Sequence, residues 1–277
     1  MTYCVAIKLN QGIVCLSDTR TNAGLDNIAR FKKMFTWQVQ GNRAMTLMTS
    51  GNLSVTQSVI SMLQETIDGA RDSGAETILN APSMFRVAEL VGGAMTTVQQ
   101  RIGPDLAARG ENSGAMILLT GQVSGGQLRL FQIYSAGNFI EATSDTPFFQ
   151  IGEHKYGKPI LDRTITPTTS LEDATLCALV SMDSTLRSNL SVGMPLDLSV
   201  LPVNSFNFSR LERIEDDDPA FDALSAEWSA SLSDAFARMR EKINYQAAQE
   251  RGQSPQQAQA QQQMQQLIGE GQTFTQG

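Results

Sequence analysis

The 277-residue chain carries 21 Lys and Arg against 28 Asp and Glu, a formal net charge of −7, with 41% hydrophobic and 18% charged residues. This composition builds a folded core rather than a disordered chain, and its acidic balance argues against the basic stripe of a nucleic-acid binder. A single histidine and three scattered cysteines give no His-rich metal centre, no zinc knuckle and no disulfide framework, and they weaken any Ser-His-Asp reading.

The chain opens as a meander of strands. Tyr3–Ile7 and Ile13–Leu16 are apolar runs separated by the turn residues Asn10-Gln11-Gly12. Ser17 to Arg30 is polar and reads as a loop. Two further strands, Met34–Val39 and Arg43–Thr49, flank the turn Gln40-Gly41-Asn42. Two helices follow. The first starts at Asn52 or Ser54 and runs to Gly69, with Val55, Val59, Met62 and Leu63 on one face; the second spans Pro82 to Ala108, where Gly92-Gly93 predicts close helix packing.

Strands return at Ala115–Thr120, Leu128–Tyr134 and Phe139–Ala142. A helix from Leu171 to Ser188, capped by Thr169 or Ser170, precedes a strand at Leu196–Val203. Pro219 then suits the first turn of a long polar helix over 220–249. Strands, paired helices, strands and a helix do not alternate as βαβ units, so the expected class is α+β: antiparallel sheets with helices on the outside. The residues from Gln246 onward include thirteen glutamines in thirty-two and read as a flexible tail beside a 1–245 domain. The opening MTYCVAIKLN has no export pattern and no run reaches about 20 apolar residues, so a cytoplasmic location without membrane contact is expected.

Three positions draw attention as chemistry. Thr2 becomes the first residue if Met1 is removed, and a free α-amine with a reference pKa of about 7.7–8.0 then shares a residue with a hydroxyl. Nucleophile and base are thereby supplied by one amino acid without a histidine. A short turn between two antiparallel strands brings Asp18 to the sheet end that carries Thr2, and Lys33 begins the strand after the loop. A lysine there lowers the hydroxyl's pKa, and a carboxylate orients the lysine. On the residues alone, ordinary loop polars at Asp18 and Arg20 and a solvated Lys32-Lys33 pair are the favoured reading. Cys4, Cys15 and Met45, 48, 62, 84 and 95 read as core, and His154 as a loop residue.

Thr2-Tyr3-Cys4-Val5, Ser17-Asp18-Thr19-Arg20-Thr21-Asn22-Ala23-Gly24, Phe31-Lys32-Lys33 and Thr49-Ser50-Gly51-Asn52-Leu53 together resemble the proteasome-type N-terminal-nucleophile (Ntn) hydrolases. Within them, the segments Ile151–Pro159 and Met182–Gly193 are similar to the Anbu, or ancestral β-subunit, group. The resemblance spans residues 2–245 and implies a four-layer αββα sandwich of two antiparallel sheets flanked by helices. It makes Thr2 the nucleophile, Asp18 the orienting carboxylate, Lys33 the lysine and Gly51 the oxyanion-binding glycine, and it adds Ser191. Thr49 and Leu53 would line the pocket. Lys33 is chosen over Lys32 because strand phase puts it on the face of Phe35.

Two departures accompany this likeness: Glu153 stands where proteasome subunits carry serine, and Ser188 where they carry aspartate. Asp183 is a candidate to replace that aspartate by its place in the chain, but an exposed helix position is favoured. The implied activity is a threonine peptidase or amide hydrolase inside a homo-oligomer, a ring or ring-like coil, acting on peptide or protein without metal or organic cofactor. A narrow Ntn amidase acting on a small peptide conjugate and an oligomeric scaffold with weak or no hydrolysis stand as alternatives.

Overall fold

The computed structural model describes residues 2–22 and 28–250. Strands β1 (Tyr3–Leu9) and β2 (Gly12–Asp18) pair antiparallel, and a small hairpin, β3 (Arg20–Asn22) and β4 (Ile28–Arg30), follows. Then come β5 (Met34–Val39), β6 (Arg43–Gly51), α1 (Leu53–Ser73) and α2 (Met84–Ala108). Next are β7 (Ala115–Val123), β8 (Arg129–Ile133), β9 (Phe139–Glu141) and β10 (Phe148–Gly152). The remaining elements are α3 (Lys158–Thr164), α4 (Leu171–Ser188), β11 (Leu196–Pro202), β12 (Arg210–Ile214) and α5 (Pro219–Glu250). Residues up to Phe221 form one compact unit, and residues from Asp222 form a second, of which the helix to Glu250 is described.

Two five-stranded antiparallel sheets carry the first unit, in the orders β10-β1-β2-β11-β12 and β5-β6-β7-β8-β9. Their central strands are buried on both faces, which is why they read as continuous apolar runs. In β1, Tyr3, Val5, Ile7 and Leu9 face a core shared with α3 and α4, through Leu161, Ala174, Ala178 and Met182. Cys4 and Ala6 face the opposite way, into a middle core with Cys15, Met34, Ala44, Met48 and Leu118. On the far side, Met45, Leu47, Ile117, Leu119 and Phe131 pack against Val55, Val59, Val87, Val91 and Met95 of α1 and α2. Three cores between four layers make the expected αββα sandwich. Between the sheets, small side chains such as Cys4, Ala6, Cys15 and Ala44 interleave with larger ones such as Met34, Met48 and Leu118.

Helix ends follow their caps. Asn52 Oδ1 accepts from the N–H groups of Ser54 and Val55, and Ser170 Oγ accepts from Asp173 N–H. Asp218 Oδ1 does the same for Ala220 and Phe221 at the start of α5. Helix α1 passes through Gly69 and ends at Gly74, whose left-handed conformation (φ 67°) lets its N–H reach Ala70 C=O.

Several expectations need correction. Ser17 and Asp18 complete β2, and part of the expected loop is the β3–β4 hairpin, registered Arg20↔Arg30 and Thr21↔Ala29; residues 23–27 lie outside the described set. Gly92 packs not on a helix but on the turn after β8: a Cβ there would stand 2.2 Å from Gly137 C=O, whereas Gly93 faces open space. Elements β10, α3 and β12 have no counterpart among the expected elements. Helix α3 is too short for periodicity, and β12, Arg-Leu-Glu-Arg-Ile, is an edge strand whose charges hide it. The Gln-rich segment beyond Glu250 lies outside the described residues.

Candidate active site

Strand β1 enters the sheet beside β2 with Cys4 opposite Ser17, so its first residues and the last residues of β2 share one sheet end. Tyr3 N–H donates to Asp18 Oδ1 at 3.0 Å, which fixes the Asp18 carboxylate one residue from Thr2. The other oxygen, Oδ2, accepts from Gly193 N–H at 3.3 Å, in the loop between α4 and β11. Lys33 Nζ lies 2.7 Å from Asp18 Oδ1 and also donates to Arg20 C=O at 2.6 Å. Both charged side chains are almost fully buried, at 4% and 0% exposure. Burial pushes the Asp18 carboxyl up from its ordinary value, opposed by the Lys33 ammonium and by the two backbone donors.

Lys33 is thus the buried lysine, though not for the reason given by strand phase. Strand β5 starts at Met34, after both lysines, and the exposed Lys32 carries its ammonium over the Phe35 ring at 5.7 Å. The hairpin contact to Arg20 C=O and the ion pair with Asp18 draw Lys33 inward instead.

Thr2 and Lys33 line one cleft of about 940 Å³, together with Thr21, Thr49, Ser50, Gly51, Leu53 and Glu153. Gly51 ends β6 with φ 97°, and a Cβ there would stand 2.2 Å from Gly114 C=O; only glycine fits. Helix α1 begins two residues later, so its N-terminal partial positive charge falls beside Gly51. The opposite wall is built on Ser135, whose Oγ accepts from Ala115 N–H at 2.9 Å and donates to Ala115 C=O at 2.8 Å.

Beneath Thr2 the backbone of β10 is drawn close. At Gly152 (φ 83°) a Cβ would stand 1.9 Å from Thr2 C=O, and Glu153 N–H donates to that same oxygen at 2.7 Å. Ser191 does not line the cleft; its Oγ donates to Asn189 Oδ1 at 2.5 Å. Asp183, expected to be exposed, is buried and sits 3.3 Å from Arg187 Nε. Thr21, Ser50 and Glu153 are cleft residues that motif reading does not assign to the pocket; only the departure at Glu153 marks one of them in advance.

Cys4 and Cys15 are wholly buried, and burial pushes the Cys15 thiol up to about 12 and the Cys4 thiol well above its ordinary value. They are packing residues, as is each of the five methionines named above. His154 sits exposed in the turn after β10. No group of His, Cys, Asp and Glu suited to a metal ion occurs among the described residues. Likewise no helix among them is long and apolar enough to cross a membrane.

Neither protein-family models nor curated proteins match the chain. Solved structures do. A helical assembly of the Anbu complex from Pseudomonas aeruginosa is 48% identical, with 85% of this chain and 96% of that one covered at a TM-score of 0.80. Anbu, the ancestral β-subunit, from Yersinia bercovieri is 46% identical over 85% of this chain and 97% of that one, TM-score 0.78. The chain belongs to the Anbu family. A Gly-1 mutant of Anbu from Hyphomicrobium sp. strain MC1 gives the same answer, with 46% identity, 86% and 97% coverage and a TM-score of 0.79. This Anbu chain therefore has the proteasome-like Ntn fold, and the two sheets and flanking helices described above are its layers.

Proposed function

We propose that this Anbu chain is a threonine-dependent hydrolase of peptide or amide bonds that works within a homo-oligomer. The observation that carries the reading is the buried Lys33–Asp18 ion pair, whose lysine lines the same cleft as Thr2. A lysine and an aspartate withdrawn from water together are costly, and a nucleophile beside them gives that arrangement a use.

After Met1 is removed, the neutral α-amine of Thr2 takes the proton from its own Oγ as that oxygen attacks the substrate carbonyl. Lys33, oriented by Asp18, favours the developing alkoxide electrostatically. The tetrahedral oxyanion accepts a hydrogen bond from the Gly51 backbone N–H at the head of α1. Collapse passes the proton to the leaving amine and leaves an ester on Thr2. Water, activated by the same amine, then hydrolyses the ester and returns the free enzyme. No step in this sequence calls for a metal or an organic cofactor. Ser191 acts at most through its loop, since Gly193 of that loop donates to Asp18.

A homo-oligomer is supported by the helical assembly formed by the Pseudomonas aeruginosa relative. The apolar stripe on α5, where Leu232, Phe236, Met239 and Ile243 are exposed at spacings of four, three and four, supplies a surface for a second copy. The first experiment is the intact mass of the protein before and after a peptide epoxyketone, a warhead that needs the amine and hydroxyl of one N-terminal threonine. Loss of Met1 and one adduct per chain are expected, with no adduct on Thr2→Ala. A chain without Met1 that never labels would instead mark an oligomeric scaffold.

A further inference from the structure

The carboxylate of Glu153 has only a long, solvated ion pair to balance its charge. Its Oε2 is buried and accepts no hydrogen bond among the described residues, and the side chain as a whole is 13% exposed. The nearest cation, Lys155 Nζ, lies 3.9 Å away on a side chain that is 67% exposed to solvent, so its compensation is screened. Meanwhile the backbone of the same residue is held against Thr2 by the 2.7 Å bond from Glu153 N–H to Thr2 C=O, and both residues line the cleft.

We infer that Glu153 is the partner of the α-amine that Thr2 gains on loss of Met1, and that it holds this amine in its protonated, inactive form near neutral pH. The inference rests on the Thr2 reading above. Its physics is simple: a buried anion beside an ammonium favours the charged state and raises the pKa of the amine, by about 1–3 units for a close pair. An amine with a reference value of about 7.7–8.0 is then almost wholly protonated at pH 7 and cannot take the Oγ proton. The other charged groups around the position act differently. Lys33, just before β5, disfavours the ammonium, but its charge is balanced by Asp18 from β2, and Lys155 from the β10–α3 turn is solvated. Tyr134 is the remaining titratable side chain of the cleft wall. Glu153 is therefore a positioning residue that sets the charge of the base, and the enzyme is strongest in alkali.

The test reads the amine directly. The full chain beginning at Thr2, released from a removable N-terminal fusion, is treated with dinitrofluorobenzene over pH 6–10, and the fraction of N-terminal label is followed by peptide mass spectrometry. Only the neutral amine reacts. The expected midpoint for the wild type lies above about 8, with Glu153→Gln lower by about one unit and Glu153→Asp between them. Equal midpoints in wild type and Glu153→Gln overturn the inference, as does a wild-type midpoint below that of Glu153→Gln. Thermal unfolding of both proteins separates this from a structural role, which would move the melting temperature and leave the midpoint in place. Because labelling needs no turnover, failure of hydrolysis leaves this result standing, and a chain that hydrolyses peptides with equal midpoints fails on this point alone. If the chain does hydrolyse, Glu153→Gln should be about tenfold faster at pH 7, the converted one-unit shift.

Discussion

At Lys33 and Asp18 two charges sit where water does not reach, and each depends on the other. Removing Lys33 leaves burial of Asp18 opposed only by the N–H groups of Tyr3 and Gly193. Lys33→Ala should therefore cost about 3–5 kcal/mol of stability at neutral pH, the usual penalty for an uncompensated buried charge. The sign with pH follows from the raised carboxyl: the folded state binds the proton more tightly than the unfolded chain. Stability from this group is present below the ordinary carboxylate range and is lost as pH rises through the folded value. Urea unfolding of Lys33→Ala at pH 4.5, 6 and 7.5 should show a steeper decline than the wild type over that interval. Lys33 itself was legible as one of two lysines. What separated it from Lys32 was the ion pair with Asp18 and the carbonyl of Arg20 across the hairpin, which no periodicity encodes.

Among the elements, α2 contains a built-in comparison. Gly92 and Gly93 are adjacent, yet one meets the carbonyl of Gly137 and the other meets nothing. Gly92→Ala forces the turn between β8 and β9 away and should cost about 1–3 kcal/mol by overpacking. Gly93→Ala, exposed in mid-helix, should gain about 1 kcal/mol from helix propensity. Denaturant midpoints of the two variants check both signs. The sequence pattern marked the pair as costly for a helix but not which glycine was needed, since that depends on a turn tens of residues away. Longer elements were more readable: α4 was expected at Leu171–Ser188 and occurs there, because its Ser170 cap and its apolar face agree. Strand β10 escaped notice although it brings Gly152 and Glu153 beneath Thr2. Its five residues acquire meaning only as an edge partner of β1.

For the whole molecule, the exposed stripe on α5 bears on assembly. Its first half carries Asp222, Glu227 and Asp234, while its second carries Arg238, Arg240 and Lys242 with Glu241. Two copies of α5 laid antiparallel place acidic half against basic half and Leu232 near its own copy. Phe236→Glu together with Ile243→Glu should lower the oligomer to smaller species by analytical ultracentrifugation. The melting of the unit ending at Phe221 should be unaffected, because the stripe belongs to none of its three cores. An unchanged sedimentation profile would remove α5 from the assembly surface.

By itself the sequence determined the layer types: continuous apolar strands, two capped helices between strand groups, and the placement of Thr2 and Asp18 at one sheet end through a short turn. These are local properties, set by side-chain period and turn chemistry within a few residues. The tertiary structure alone decided which lysine is buried, which glycine touches the chain elsewhere, that Asp183 turns inward beside Arg187, and that Glu153 lies by Thr2 with a buried oxygen that accepts no hydrogen bond among the described residues. The glycine contact and the Glu153–Thr2 approach join segments tens of residues apart, and at Lys33, Asp183 and Glu153 burial rather than pattern sets the energy of a charge.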